Sequence, residues 1–95
     1  MKGYVVCVYK NITNEEKLKE YAGKARIAVE KFQGKFLIRG GRSSSHEGEK
    51  SPRTVVIEFP SYDKANAFYK SKEYQEAHSI LEGHANRQFQ TLEGV

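Results

Sequence analysis

Tryptophan is absent from this 95-residue chain, methionine and cysteine occur once each, and proline occurs twice. The single cysteine, Cys7, excludes any disulfide within the chain. No apolar run approaches the ~20 residues needed to cross a bilayer, so no membrane-spanning helix is expected. The opening segment MKGYVVCVYKN has the look of a strand and lacks the order of a secretory leader. With the lone thiol, that points to a reducing, cytoplasmic setting. The short signatures of common catalysis are missing too: no G-x-S-x-G, no C-x-x-C, no H-E-x-x-H and no P-loop. Nor is there an internal repeat, a heptad pattern or a block of charge of one sign. Lysine and arginine outnumber the acids by 16 to 12, but they are interleaved with glutamate, as in KNITNEEKLKE. A solvated mixed surface explains that better than a nucleic-acid footprint.

What is present reads as one domain over residues 1–95, near the size at which a single core suffices. Its clearest stretch is RTVVIEFPSYDKANAFYKSKEYQEA, residues 53–77. Val55, Ile57 and Phe59 alternate with Thr54, Val56 and Glu58, which defines a strand with one wholly apolar face. Pro60 ends that strand because it has no N–H to donate. Ser61 and Asp63 suit the start of a helix carrying Ala65, Phe68 and Tyr69 inward, and Ser71 restarts a second one on Tyr74, Ala77, His78 and Leu81. Gly83 closes it.

Earlier in the chain, GYVVCVY at 3–9 is β-branched on both faces: Tyr4, Val6 and Val8 on one, Val5, Cys7 and Tyr9 on the other. Thr13 and Glu16 form a T-x-x-E capping box. The helix that follows places Leu18, Tyr21, Ala22, Ala25, Ala28, Val29 and Phe32 on one stripe. Gly23 permits close approach to the sheet, and Gly34 is the expected left-handed stop. KFLIR (35–39) is a second strand, 40–52 a long polar connection, and ANRQFQTL (85–92) a weakly alternating edge strand. The order β-α-β-β-α-β is the ferredoxin-like α+β arrangement. It predicts a four-stranded antiparallel sheet with strands one and three central and helices on one face.

The stretch at 53–77, with GYVVCVYK at 3–10, FLIRGG at 36–41 and the closing EGV at 93–95, resembles the domain-of-unknown-function family 1330 of the dimeric α/β-barrel superfamily. The resemblance implies a ferredoxin-like chain paired into a barrel-like dimer, and no settled activity. Related folds of the superfamily include cofactor-independent monooxygenases and isomerases with clefts between sheet and helices.

Four residues stand out as ligand-binding candidates. Arg39 ends a strand before Gly40 and Gly41 and can hold an anion through its planar fork. Glu58 is a carboxylate in an apolar strand: a base if a partner encloses it, an ion-pair member otherwise. Tyr74 and His78 lie on the last helical stripe, where His78 can face a cleft as acid or base. A histidine bonded to backbone is the plainer alternative. His46 sits in the polar connection beside Glu47 and Glu49 without fixed geometry, and His84 lies beyond Gly83, so no metal site is expected. No cofactor motif is present.

These features support a small-molecule binding cleft between sheet and helices, with the ligand expected between the sheet and the second helical segment and Arg39 holding its anionic group, with or without catalysis that uses no cofactor. A purely non-catalytic binding or assembly module is the alternative. RNA binding is disfavoured: RTVVIEF lacks the aromatic pair of an RNA-recognition strand, and Glu58 would repel phosphate. The strongest functional expectation is homodimerisation. Two helices can cover only one face of a four-stranded sheet, yet strands one and three are apolar on both.

Overall fold

The computed structural model describes residues 1–95. Its elements are β1 (Gly3–Ile12), α1 (Glu15–Lys31), β2 (Lys35–Arg39), β3 (Thr54–Phe59), α2 (Tyr62–Lys70), α3 (Lys72–Leu81) and β4 (Ala85–Glu93). The four strands form one antiparallel sheet in the order β2-β3-β1-β4, so the two most apolar strands are central, as their composition demands. The three helices lie on one face.

Alternation fixes which side chains meet the helices. Val5, Cys7 and Tyr9 of β1 and Val55, Ile57 and Phe59 of β3 are buried against Leu18, Tyr21, Ala25, Ala28 and Val29 of α1. Ala65, Phe68, Tyr74, Ala77 and Leu81 of α2 and α3 complete the core, which contains no buried charged side chain. Serines separate the last two helices cleanly. Ser61 accepts from the Lys64 N–H at 3.1 Å. Ser71 accepts from the Tyr74 N–H at 3.1 Å while its hydroxyl donates to the Phe68 carbonyl at 2.7 Å.

The helix ends depart from expectation in instructive ways. β1 runs to Ile12, so Thr13 is still leaving the strand; its N–H and hydroxyl both donate to the His84 carbonyl, at 2.8 and 3.0 Å. The cap of α1 is therefore Asn14, whose side chain accepts from the Lys17 N–H at 3.0 Å. At the other end the left-handed residue is Gln33 (φ 62°), not Gly34. The Gly34 N–H reaches the Val29 carbonyl at 2.8 Å and the Gln33 N–H reaches that of Glu30 at 3.0 Å, a Schellman closure. Gly34 is needed for space: a Cβ there would lie 2.7 Å from both Phe59 and Val29. Gly23 faces solvent, with nothing within 4 Å of where its Cβ would be, so it does not mediate approach to the sheet. The edge strand β4 is longer than its weak alternation suggests. It pairs along β1 from Ile12↔Ala85 to Gly3↔Glu93, with an irregularity between Tyr9 and Asn11.

The second face of the sheet carries no helix. Tyr4, Val6, Val8 and Val56 are half-buried there, flanked by Ile38 and Leu92, which are 48% and 40% exposed.

Candidate functional site

Sheet register brings Arg39 of β2, Arg53 just before β3 and Arg87 of β4 to one end of the helix-covered face. Arg39, Val55, Cys7 and Phe89 form one row across β2, β3, β1 and β4. In the next row Tyr9 faces Arg87 of β4 on one side. On the other its N–H donates to the Arg53 carbonyl at 2.9 Å. Alternation turns these side chains toward the helix-covered side of the sheet.

Arg87 is the centre of this constellation. Its Nη1 donates to Tyr21 Oη at 2.9 Å, Tyr9 Oη at 3.3 Å and the Cys7 sulfur at 3.6 Å, and Nη2 donates to Tyr74 Oη at 2.6 Å. The guanidinium carbon lies 4.9 Å from the Tyr21 ring centre, 5.1 Å from Phe89 and 5.5 Å from Tyr9. Aromatic faces and phenol oxygens thus solvate the charge in place of a carboxylate. Tyr21 and Tyr74 also share a hydrogen bond of 2.9 Å. His78 stacks on Tyr74, with ring centres 6.0 Å apart and planes 11° from parallel.

The chemistry of these groups follows from burial. It pushes the Cys7 thiol up, and the neighbouring Arg87 charge only partly offsets this. It raises Tyr9 to about 12, and moves Tyr21 and Tyr74 upward as well. All of them are protonated at neutral pH. Burial works against the Arg87 charge, but the oxygens of Tyr21 and Tyr74 and the Cys7 sulfur outweigh it and hold its pKa above the ordinary arginine value. His78 is shifted down, by burial first and the Arg87 charge second, so it is neutral at pH 7.

A cavity of about 40 Å³ lies between the sheet and α1, not under the second helical segment where the sequence suggests a ligand, and 13 of its 16 lining residues are hydrophobic. A single water needs ~10–15 Å³ on this measure. The three other lining residues are Arg39, Arg53 and Arg87; no carboxylate and no imidazole is among them. Arg39 packs its guanidinium 4.6 Å over the Phe36 ring. Arg53 lies against the backbone of Gly40 (φ 73°), where a Cβ would approach its Nη1 to 2.9 Å. Gly40 therefore makes room for Arg53, while nothing lies within 4 Å of where a Cβ on Gly41 would be.

The four residues singled out from sequence do not form one site. Arg39 lines the cavity, and Tyr74 anchors Arg87 from behind it. His78 lies behind Tyr74, against a shallower groove with Tyr69, Glu82 and Asn86. Glu58 is on the open face, accepting a hydrogen bond from Tyr4 at 3.0 Å, opposite Lys35 in the register. Sequence reasoning missed Arg87, Arg53 and the hydroxyls of Tyr9 and Tyr21. The available signal was parity: Arg87 is in phase with Phe89 and Arg53 with Val55, both on the inward side.

The fold and this cleft define a ferredoxin-like α+β protein. The chain belongs to the family of the domain of unknown function DUF1330, whose profile matches residues 2–95. Among solved structures it is similar to a protein of unknown function from Rhodopseudomonas palustris, at 14% identity and TM-score 0.78, covering 99% of this chain and 82% of that one. A dimeric ferredoxin-like protein of unknown function from Jannaschia sp. has the same TM-score and identity, with 99% and 100% coverage. An EthD-family protein from Bacillus halodurans matches at 12% identity and TM-score 0.64, over 100% of both chains. No curated protein matches.

Proposed function

We propose that this chain is a homodimeric binding protein that holds a small organic molecule in the cleft between the sheet and the helices. The observation that carries the reading is the lining of the cavity: an apolar pocket with a few convergent polar groups, the usual composition of a ligand site. Arg39 holds the polar end of the ligand at the mouth, and Tyr74 fixes Arg87 behind it. His78 and Glu58 act through the surrounding structure, since neither lines the cavity. A fragment screen by protein-observed NMR tests this. Saturable shifts at Cys7, Tyr9, Val55 and Phe89 are expected. Fragments that shift only the open sheet face would overturn it.

Binding without turnover is favoured over cofactor-independent catalysis by one observation. Burial holds the Cys7 thiol and the Tyr9 and Tyr21 phenols in their protonated forms at neutral pH, and no histidine or carboxylate lines the cavity, so a general base is lacking. Glu58→Gln and His78→Ala are then expected to alter stability alone.

Dimerisation through the open face follows from its apolar character. Tyr4, Val6, Val8, Val56, Ile38 and Leu92 put apolar side chains across a sheet face that no helix covers. A second copy related by a two-fold axis covers it with itself, at ~25 cal/mol of driving force per Å² buried before association entropy is subtracted. The dimeric neighbour from Jannaschia sp. accords with this. Sedimentation equilibrium at low micromolar concentration is expected to report twice the chain mass.

A further inference from the structure

The hydrogen-bond inventory around the cavity is unbalanced, and the imbalance has a sign. Tyr9, Tyr21 and Tyr74 are 2%, 8% and 0% exposed, and each phenol oxygen accepts from Arg87. Each also carries one proton to donate. The Tyr21–Tyr74 hydrogen bond uses one of these. The Tyr9 proton and the remaining one of that pair have no protein acceptor. Arg53 Nε–H, buried on the same cavity wall, has none either. Three guanidinium groups add a charge of the same sense. None of them makes an ion pair: the four salt bridges of the chain are Lys17–Glu20, Arg26–Glu30, Lys31–Glu73 and Lys72–Glu76, all on the outer helix surfaces. Glu15 and Glu16 border the outer groove next to Arg53 without pairing to it. Buried donors without acceptors are costly, and positive charge in a low-dielectric pocket attracts an anion strongly.

We infer that the molecule held in this cleft is a small organic anion. Its acid oxygens are bound by Arg53 and the Tyr9 hydroxyl and paired by Arg39 at the mouth, with Arg87 behind. Its apolar body lies among Phe36, Val55 and Leu18. This rests on the cleft being the binding site and adds the chemical class of the ligand. The oxygens of a carboxylate supply the acceptors that the tyrosines and Arg53 lack, and its charge offsets the unpaired arginines. The apolar lining excludes a fully hydrated ion such as free phosphate, because nothing in the cavity replaces the rest of its hydration shell.

Calorimetric titration of the intact protein at pH 7 with four probes tests the inference: benzoate, its neutral isostere benzamide, benzylamine, and inorganic phosphate. Benzoate is expected to bind saturably and benzamide about tenfold more weakly or worse, the cost of one charge-assisted hydrogen bond. Benzylamine and phosphate are expected not to bind, and benzoate affinity is expected to fall as salt is added. Benzamide or benzylamine binding as tightly as benzoate would overturn the anion while leaving the cleft as the site. Phosphate matching benzoate would overturn the organic body. Failure of all four would remove both the anion and the cleft. Arg53→Gln is expected to weaken benzoate about tenfold and leave benzamide unchanged; equal loss for both ligands would contradict the assignment. If Arg53→Gln does not fold, Arg39→Gln, an exposed position, carries the same comparison.

Discussion

Removing the Tyr74 hydroxyl isolates the energetic role of the half-buried Arg87. In Tyr74→Phe the ring keeps its place against Phe68, Tyr69, His78 and Phe89, so packing is preserved. Two hydrogen bonds vanish: the 2.6 Å bond from Arg87 Nη2 and the 2.9 Å bond with Tyr21. Arg87 Nη1 retains its other partners, but Nη2 is left with no protein acceptor. A hydrogen bond to a charged group contributes about 1.5–3 kcal/mol, and here a half-buried charged donor is stranded while the Tyr21 bond is lost with it. The expected loss is therefore roughly 2–3 kcal/mol, a drop in Tm on the order of 10–20 °C for a domain of this size. Urea unfolding followed by circular dichroism measures it, with Tyr69→Phe as control. The Tyr69 hydroxyl makes no hydrogen bond in the structure, so that variant is expected to stay within ~0.5 kcal/mol of the parent. If Tyr74→Phe also stays within that margin, the guanidinium is solvated by something other than the phenols and the description of the cluster is wrong.

Three further outcomes are expected. Gly23→Ala removes a helix-interior glycine with open space around it and should stabilise the chain by about 1 kcal/mol in the same unfolding assay. The His78 pKa is lowered in the folded state, so its contribution is full above the ordinary histidine value of 6.5 and declines as the pH falls from there toward the folded pKa. The stability of the parent should therefore slope downward over that window. His78→Gln, which leaves Arg87 and Glu82 in place, should flatten the slope. Val6→Asp places a charge at the centre of the open face and should give a folded monomer by sedimentation; a dimer in that variant would locate the interface elsewhere.

Most of the fold was legible because its signals are local and redundant. The alternation of β3, the stop at Pro60, the caps at Ser61 and Ser71 and the stripe of α1 each specify a conformation within a few residues. Where reading failed, a longer-range contact decided. Thr13 is drawn to His84, seventy-one residues away, which moves the cap of α1 to Asn14. Gly34 serves packing against Phe59 while Gln33 takes the left-handed turn. The candidate site was less legible for the same reason. Arg39 and Tyr74 were recognisable as polar or aromatic residues at element ends and on stripes. Arg87, however, lies in the weakest strand of the sequence, and its importance depends on three tyrosines that β1, α1 and α3 bring to it. Glu58 attracted notice as a lone carboxylate in an apolar strand, but parity puts it opposite the cleft, beside Tyr4.

The most direct test of an anion-binding cleft between sheet and helix is a crystal structure of the protein grown or soaked with benzoate. The ring is expected between the sheet and α1, with a carboxylate oxygen within hydrogen-bonding distance of Arg53 Nε and the Tyr9 hydroxyl. Benzoate bound with its carboxylate turned to solvent, or on the open face of the sheet while the cleft stays closed, would contradict it.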